Sequence, residues 1–176
     1  MQERTDVSAE DVVVVAARRT PIGAFQGVLS ALSAPELMAP VVQACLADSR
    51  LDGADLDQAL LGCVLQAGIG QAPARQAILA AGLPNSLPTM TVNKVCGSAM
   101  ATMFLGTEMI RAGSARTVLA GGMESMSNAP YLLPKARSGY RMGHQEALDH
   151  MFLDGLQNPY DGNMMGFFAE QTARRY

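Results

Sequence analysis

The run Val12-Val13-Val14-Val15-Ala16-Ala17 constrains the fold more than any other stretch of the chain. A strand with one wet face alternates apolar and polar residues, whereas an unbroken β-branched run belongs to a strand covered on both faces. Such strands sit in parallel sheets with helices above and below. The spacing of later segments agrees. Ser33-Ala34-Pro35-Glu36 matches a capping box, with Leu37, Val41, Ala44 and Cys45 at helical spacing behind it, and predicts a helix to Asp48 that Pro40 should kink. Gly53 to Gln58 reads as a turn or short helix before a second apolar strand, Ala59 to Val64 and Leu65.

The alternation continues. A glycine-bearing loop leads into a helix over Ala72 to Ala81, where Pro73 suits the first turn and Gly82 the C-terminal cap. Thr89 to Asn93 is a third strand, Gly97 to Ala112 a third helix and Arg116 to Gly121 a fourth strand. Strand and helix in turn, with short connections, predict an α/β fold built from right-handed βαβ units. From Gly122 the periodicity is lost in Met, Pro, Gly, Tyr and Arg, so a loop-rich excursion is expected, with a helix starting at Glu170.

Composition excludes several classes of function. Of 176 residues, 49% are apolar and 16% charged, enough to bury a core and too few charges for a disordered chain. A net charge of −3 with both signs interspersed offers no basic stripe for nucleic acid and no polybasic anchor for a membrane. The first residues, Met1 to Asp11, are polar, which argues against a signal peptide. Cys45, Cys63 and Cys96 are an odd number at wide spacing, and with two histidines they predict no metal site and a reducing cytoplasm. Twelve methionines and no tryptophan suit a core with irregular gaps or a flexible substrate tunnel.

Cys96 carries the chemistry. In Val92-Asn93-Lys94-Val95-Cys96-Gly97-Ser98 it falls at the turn from a predicted strand into a predicted helix, a junction that presents a side chain outward. The positive end of a helix dipole favours thiolate over thiol, which predicts a pKa below the free value of about 8.5. Gly97 allows close approach of a ligand, and the Cys96 amide is placed to meet a developing oxyanion. The competing reading is a buried structural cysteine, and position alone leaves the two open. Cys45 and Cys63 lie inside helix and strand patterns and read as packing. His144 and His150 fall in the aperiodic segment with no predictable partner, so neither is assigned as a base. Gly68-Ile69-Gly70 lacks a third glycine, and Gly121-Gly122 lacks a Walker lysine, so neither reads as a phosphate loop.

Four motifs in order then carry a resemblance along almost the whole chain: Arg19-Thr20-Pro21-Ile22-Gly23-Ala24-Phe25, Gly70-Gln71-Ala72-Pro73-Ala74-Arg75-Gln76, Asn93-Lys94-Val95-Cys96-Gly97-Ser98 and Ala120-Gly121-Gly122-Met123-Glu124-Ser125-Met126-Ser127. Together they resemble the N-terminal half of thiolases, most nearly their acetyl-CoA acetyltransferase branch. The resemblance implies that Cys96 takes an acyl group from an acyl-CoA, for Claisen condensation with a second acetyl-CoA or for thiolysis in reverse. It implies an α/β thiolase-like domain over 1–121 and the start of a loop domain over 122–176, an incomplete half.

Within that loop domain Leu156, Met164 and Met165 match positions along the path of the CoA pantetheine, with simple packing as the competing role. Asn128 to Met142, with Lys135 and Arg137, matches the segment through which dimers pair into tetramers. Coenzyme A enters as a thioester substrate, and no cofactor is implied. The family's catalytic histidine, second cysteine and oxyanion-hole residues lie in a C-terminal half outside this sequence, so isolated 1–176 is expected to be acylated without turning over.

Three departures from the family pattern stand out: Ala99 in place of a glycine, Met164 where acetyl-CoA-selective relatives often have histidine, and Phe168 where threonine is common. They leave acyl-chain preference open. A degradative 3-ketoacyl-CoA thiolase and a non-catalytic thiolase-like assembly subunit are therefore the alternatives. Uncovered sheet edge and apolar helix faces predict an oligomer, a homodimer or tetramer, or pairing with a separate chain that carries the C-terminal half.

Overall fold

A computed structural model describes residues 11–176. The signal-peptide expectation therefore rests on residues that lie, Asp11 apart, outside those described. Helix α1 (Ala34–Ser49) begins at the capping box foreseen: the Ser33 hydroxyl accepts from the Glu36 amide, and the Glu36 carboxylate accepts from the Ser33 amide. The helix runs on through Pro40 as one element rather than breaking there.

Strand β1 (Gln58–Gly62), helix α2 (Pro73–Ala80), strand β2 (Thr89–Val92), helix α3 (Ser98–Arg111) and strand β3 (Val118–Gly122) follow in the predicted order. The three strands form one parallel sheet in the order β2-β1-β3, with Leu61 opposite Thr91 on one side and Gly121 on the other. After it come the two-residue strands β4 (Tyr131–Leu132) and β5 (Leu148–Asp149), paired antiparallel, a π-turn at Phe152–Leu156 and helix α4 (Met165–Arg175). Helix α4 starts five residues before the predicted Glu170, because the apolar residues ahead of Glu170 join its first turn.

The side chains of β1 sort the helices onto two faces. Ala59, Leu61 and Cys63 join a buried cluster with Met38 and Val42 of α1 and Ala77 and Ile78 of α2. Residues of opposite parity face α3: a Cβ placed on Gly62 would lie 2.7 Å from the Ser98 Cβ, and one on Gly122 would lie 2.8 Å from the Ala99 Cβ. Conversely, a Cβ on Gly121 would meet the Met38 terminal methyl at 3.0 Å. Helices α1 and α2 thus cover one face and α3 the other, the arrangement that right-handed crossovers in opposite directions produce.

One expected strand is not formed. Val12 to Ala17 carries no ladder pairing, and Val13, Val14 and Val15 are 54%, 71% and 65% exposed. Valine disposes the backbone to extend, but a strand exists only when a neighbour accepts its hydrogen bonds. The neighbouring edge, β3, lies across a cavity of about 660 Å³.

Candidate active site

The geometry around Cys96 starts at the C-terminal end of the sheet. Strand β2 ends at Val92, α3 begins at Ser98, and the five residues between form a tight elbow. Val95 takes the left-handed conformation, with φ 50°. A β-branched residue there is strained, at a cost of roughly 1–3 kcal/mol, and persists only when the surroundings hold it. Here they do. The Val95 amide donates to Asn93 Oδ1 at 2.9 Å, the Lys94 amide to Ser98 Oγ at 2.8 Å, and the Ser98 hydroxyl to the Val95 carbonyl at 2.6 Å. The Gly97 and Ser98 amides close the turn onto the Lys94 and Val95 carbonyls.

Ser98 itself is buried, pressed against Gly62 of the sheet. The elbow is therefore braced from below, and Cys96 stands exposed at its tip. This separates the two sequence readings: Cys96 is not a packed core cysteine. Ala99, the departure from the glycine pattern, directs its methyl onto Gly122, so the extra atom is taken up against the sheet.

The other two cysteines differ. Cys45 is half-buried on α1, and burial raises its pKa. Cys63 is buried, its Sγ 3.6 Å from Glu124 Oε1, and burial together with the neighbouring carboxylate pushes the thiol up to about 12. Both read as structural, as their positions in the sequence suggested.

His150 is buried and committed to holding loops together. Its Nε2 accepts from the Ala67 amide at 3.4 Å, which leaves Nδ1 to donate to Asp154 Oδ2 at 2.6 Å. Its own amide donates to the Pro130 carbonyl. With both ring nitrogens engaged, it braces the loop after β1 against the excursion. His144 is exposed in the loop before β5.

Leu156, Met164 and Met165 come together on one small turn. Gln157, next to Leu156, bridges to Met164, the residue that precedes α4, and the Asn158 amide donates to the Asn163 carbonyl at 2.8 Å. Leu156 and Met164 are half-buried and Met165 is exposed.

Sequence reasoning passed over Glu124 and Asn128 as individuals, though both carry the architecture. The Glu124 carboxylate accepts from the Val64 and Leu65 amides at 3.0 Å each, tying the end of β1 to the segment after β3. Asn128 donates to the carbonyls of Ser30 and Leu32, and Ser127 accepts from the Gln26 amide, so the 24–32 loop is clamped beside the same segment. Polar residues directly after a predicted strand were the available signal.

Among the described residues no group of three or more His, Cys, Asp or Glu is placed to hold a metal ion, and no helix is long and apolar enough to cross a membrane.

Comparison with known proteins gives one family. The model of the thiolase N-terminal domain matches residues 12–176. An acetyl-CoA acetyltransferase of Pseudomonas aeruginosa is 50% identical over 167 residues, which are 95% of this chain and 42% of that protein. Acetyl-CoA acetyltransferases of Saccharomyces cerevisiae and Escherichia coli are 49% and 46% identical, covering 94% and 95% of this chain and 42% and 43% of their own length. Among solved structures, the Acat5 thiolase of Ascaris suum in complex with coenzyme A superposes with a TM-score of 0.87 at 37% identity, over 92% of this chain and 42% of that one. The chain thus spans less than half the length of the relatives it matches.

Proposed function

We propose, from the premise that this chain belongs to the thiolase family as a thiolase N-terminal domain, that it supplies the acyl-accepting half of an acetyl-CoA C-acetyltransferase. The observation that carries this reading is Cys96, exposed on a strained and braced elbow ahead of α3. As thiolate, its Sγ attacks the thioester carbonyl of an acyl-CoA; the new C–S bond forms as the bond to the CoA sulfur breaks, and CoA leaves as thiolate and takes up a proton. The α-carbanion of a second acetyl-CoA then attacks the acyl carbon, and Cys96 is released.

That second step needs a base to remove the α-proton and donors for two oxyanions. Cys96 and its own amide supply part of this. The proposed division of labour places the α/β domain over 1–121 and the beginning of a loop domain over 122–176, where Leu156, Met164 and Met165 line the pantetheine path. The turn that gathers those three residues supports this reading, as does the solved relative described in complex with coenzyme A. The exposed apolar face of α3, Met100, Met103 and Phe104, supports an oligomer.

Radiolabelled acetyl-CoA tests the reading. Chain 1–176 is expected to take up one acetyl group on the Cys96 peptide, to lose that label in Cys96→Ala, and to form no acetoacetyl-CoA. Label spread over other residues, or a Cys96 that is never acylated, would overturn it.

A further inference from the structure

Three polar side chains are buried among the described residues: Ser98, Thr102 and His150. Ser98 holds the elbow, and the Thr102 hydroxyl lies 3.1 Å from the Gly121 carbonyl, so two of the three seat α3 on the sheet. The third stands in the excursion, directly before the π-turn Phe152–Leu156. Such turns are rare and are frequent at functional sites. This one closes with the Gln157 amide donating to the Phe152 carbonyl at 2.8 Å, and Gln157 bridges to Met164. Where the turn sits therefore decides where Leu156 and Met164 sit.

Two contacts with the loop after β1 place the turn. A Cβ on Gly155 would lie 3.3 Å from Leu65 Cδ2, so the backbone of the turn rests on a buried leucine. His150 Nε2 accepts from the Ala67 amide two residues further on. That loop is itself fixed, since Glu124 takes the Val64 and Leu65 amides and β1 ends at Gly62, against which Ser98 packs. A continuous path thus runs from the Cys96 elbow through the end of β1 to the turn. Apolar contact alone lets two surfaces slide, whereas a buried hydrogen bond holds one arrangement. The bond to Ala67 needs an unprotonated Nε2, and Asp154, which lies on the π-turn, takes the Nδ1 proton and so selects that tautomer.

Resting on the reading that Cys96 accepts an acyl group from a CoA thioester, we infer that His150 is a positioning residue for that substrate: with Asp154 fixing its tautomer, it sets the pantetheine-side turn at its place beside the sheet end that carries Cys96. Both ring nitrogens are engaged, so none is left for the thioester itself. The effect falls on a donor that carries the pantetheine arm and passes over one that lacks it.

Acylation of intact 1–176 by two donors tests this: acetyl-CoA, and S-phenyl thioacetate, which brings the same acetyl group without pantetheine. Mass spectrometry follows acetyl-Cys96, and the ratio of the two rates cancels any change in the thiol. His150→Leu should lower the ratio of acetyl-CoA to phenyl thioacetate about tenfold, the size of one lost hydrogen bond. His150→Gln, whose amide oxygen can still accept from Ala67, should keep most of it. Asp154→Ala, at an exposed position, should lower the ratio in the same direction and decides the matter should His150→Leu fail to fold. An unchanged ratio in these two variants overturns the inference, and so does a His150→Gln as poor as His150→Leu. Equal loss with both donors overturns it as well, because His150 would then do no more than keep the chain folded. A wild-type chain that neither donor acylates strikes instead at the acyl-acceptor reading, and the two failures are thereby told apart.

Discussion

Ser98 decides whether Cys96 is presented correctly, although it does no chemistry itself. Its hydroxyl accepts from the Lys94 amide and donates to the Val95 carbonyl, so Ser98→Ala removes both hydrogen bonds, each worth about 0.5–1.5 kcal/mol at this part-buried position. We expect Ser98→Ala to slow alkylation of Cys96 by iodoacetamide in molecules that remain folded, and Ser98→Thr, which keeps the hydroxyl, to recover most of the rate. Equal rates in Ala and wild type would show that Val95 is held without it. Cys63 gives a prediction in pH. Its folded pKa is raised to about 12 by burial and by Glu124, so the folded state keeps a proton that the unfolded chain loses nearer its ordinary value of 9.0. This contribution to stability is whole below about pH 9 and declines as pH rises toward 12, by at most ~1.4 kcal/mol per pH unit. Denaturant titrations of wild type and Cys63→Ala should therefore show a shallower alkaline decline in the variant.

At the scale of elements, the contact between sheet and α3 sets where the elbow stands. Gly62 and Gly122 present bare Cα atoms to Ser98 and Ala99, and a methyl on Gly62 would fall within 2.9 Å of the Ala99 amide as well as against the Ser98 Cβ. Gly62→Ala must push back the first turn of α3, at a typical overpacking cost of about 1–3 kcal/mol, and should also alter Cys96 alkylation. Loss of stability without any change at Cys96 would separate the two. At the same edge of the sheet, where Ser125 and Asn128 reach the Leu32 carbonyl, Ser33→Ala removes a capping box and should cost about 1 kcal/mol by thermal melts.

Helices α1, α2 and α3 and strands β1, β2 and β3 were legible because their signals are local: a cap, a proline in a first turn, a glycine after a last one, an apolar run of strand length. The valine run was misread for the opposite reason. Whether Val12 to Ala17 is a strand depends on a partner elsewhere in space, and its own residues report only a preference. Cys96 could be found by its position at a junction, and Glu124 by a polar residue directly after a predicted strand, but Ser98 and the left-handed Val95 could not, since their roles lie in bonds and angles that no pattern of residue types encodes.

The molecule as a whole is a three-stranded sheet with a fourth run of strand-forming residues standing off from it, and with loops cross-tied at a distance. Asn128 and His150 make two of those ties, one to the 24–32 loop and one to the loop after β1. Asn128→Ala should open the 24–32 loop to limited proteolysis while the sheet stays folded, and cleavage unchanged from wild type would show that the clamp is dispensable. The three cysteines also have a consequence for the particle in solution. Two are sheltered and one stands at the surface, so air oxidation has a single obvious target, and two molecules can become joined tip to tip through Cys96. Such a disulfide-linked pair would have the mass of a dimer and blocked acyl acceptors. The assembled state of this chain is therefore to be weighed with reductant present, where any pair that persists is held by surfaces rather than by sulfur.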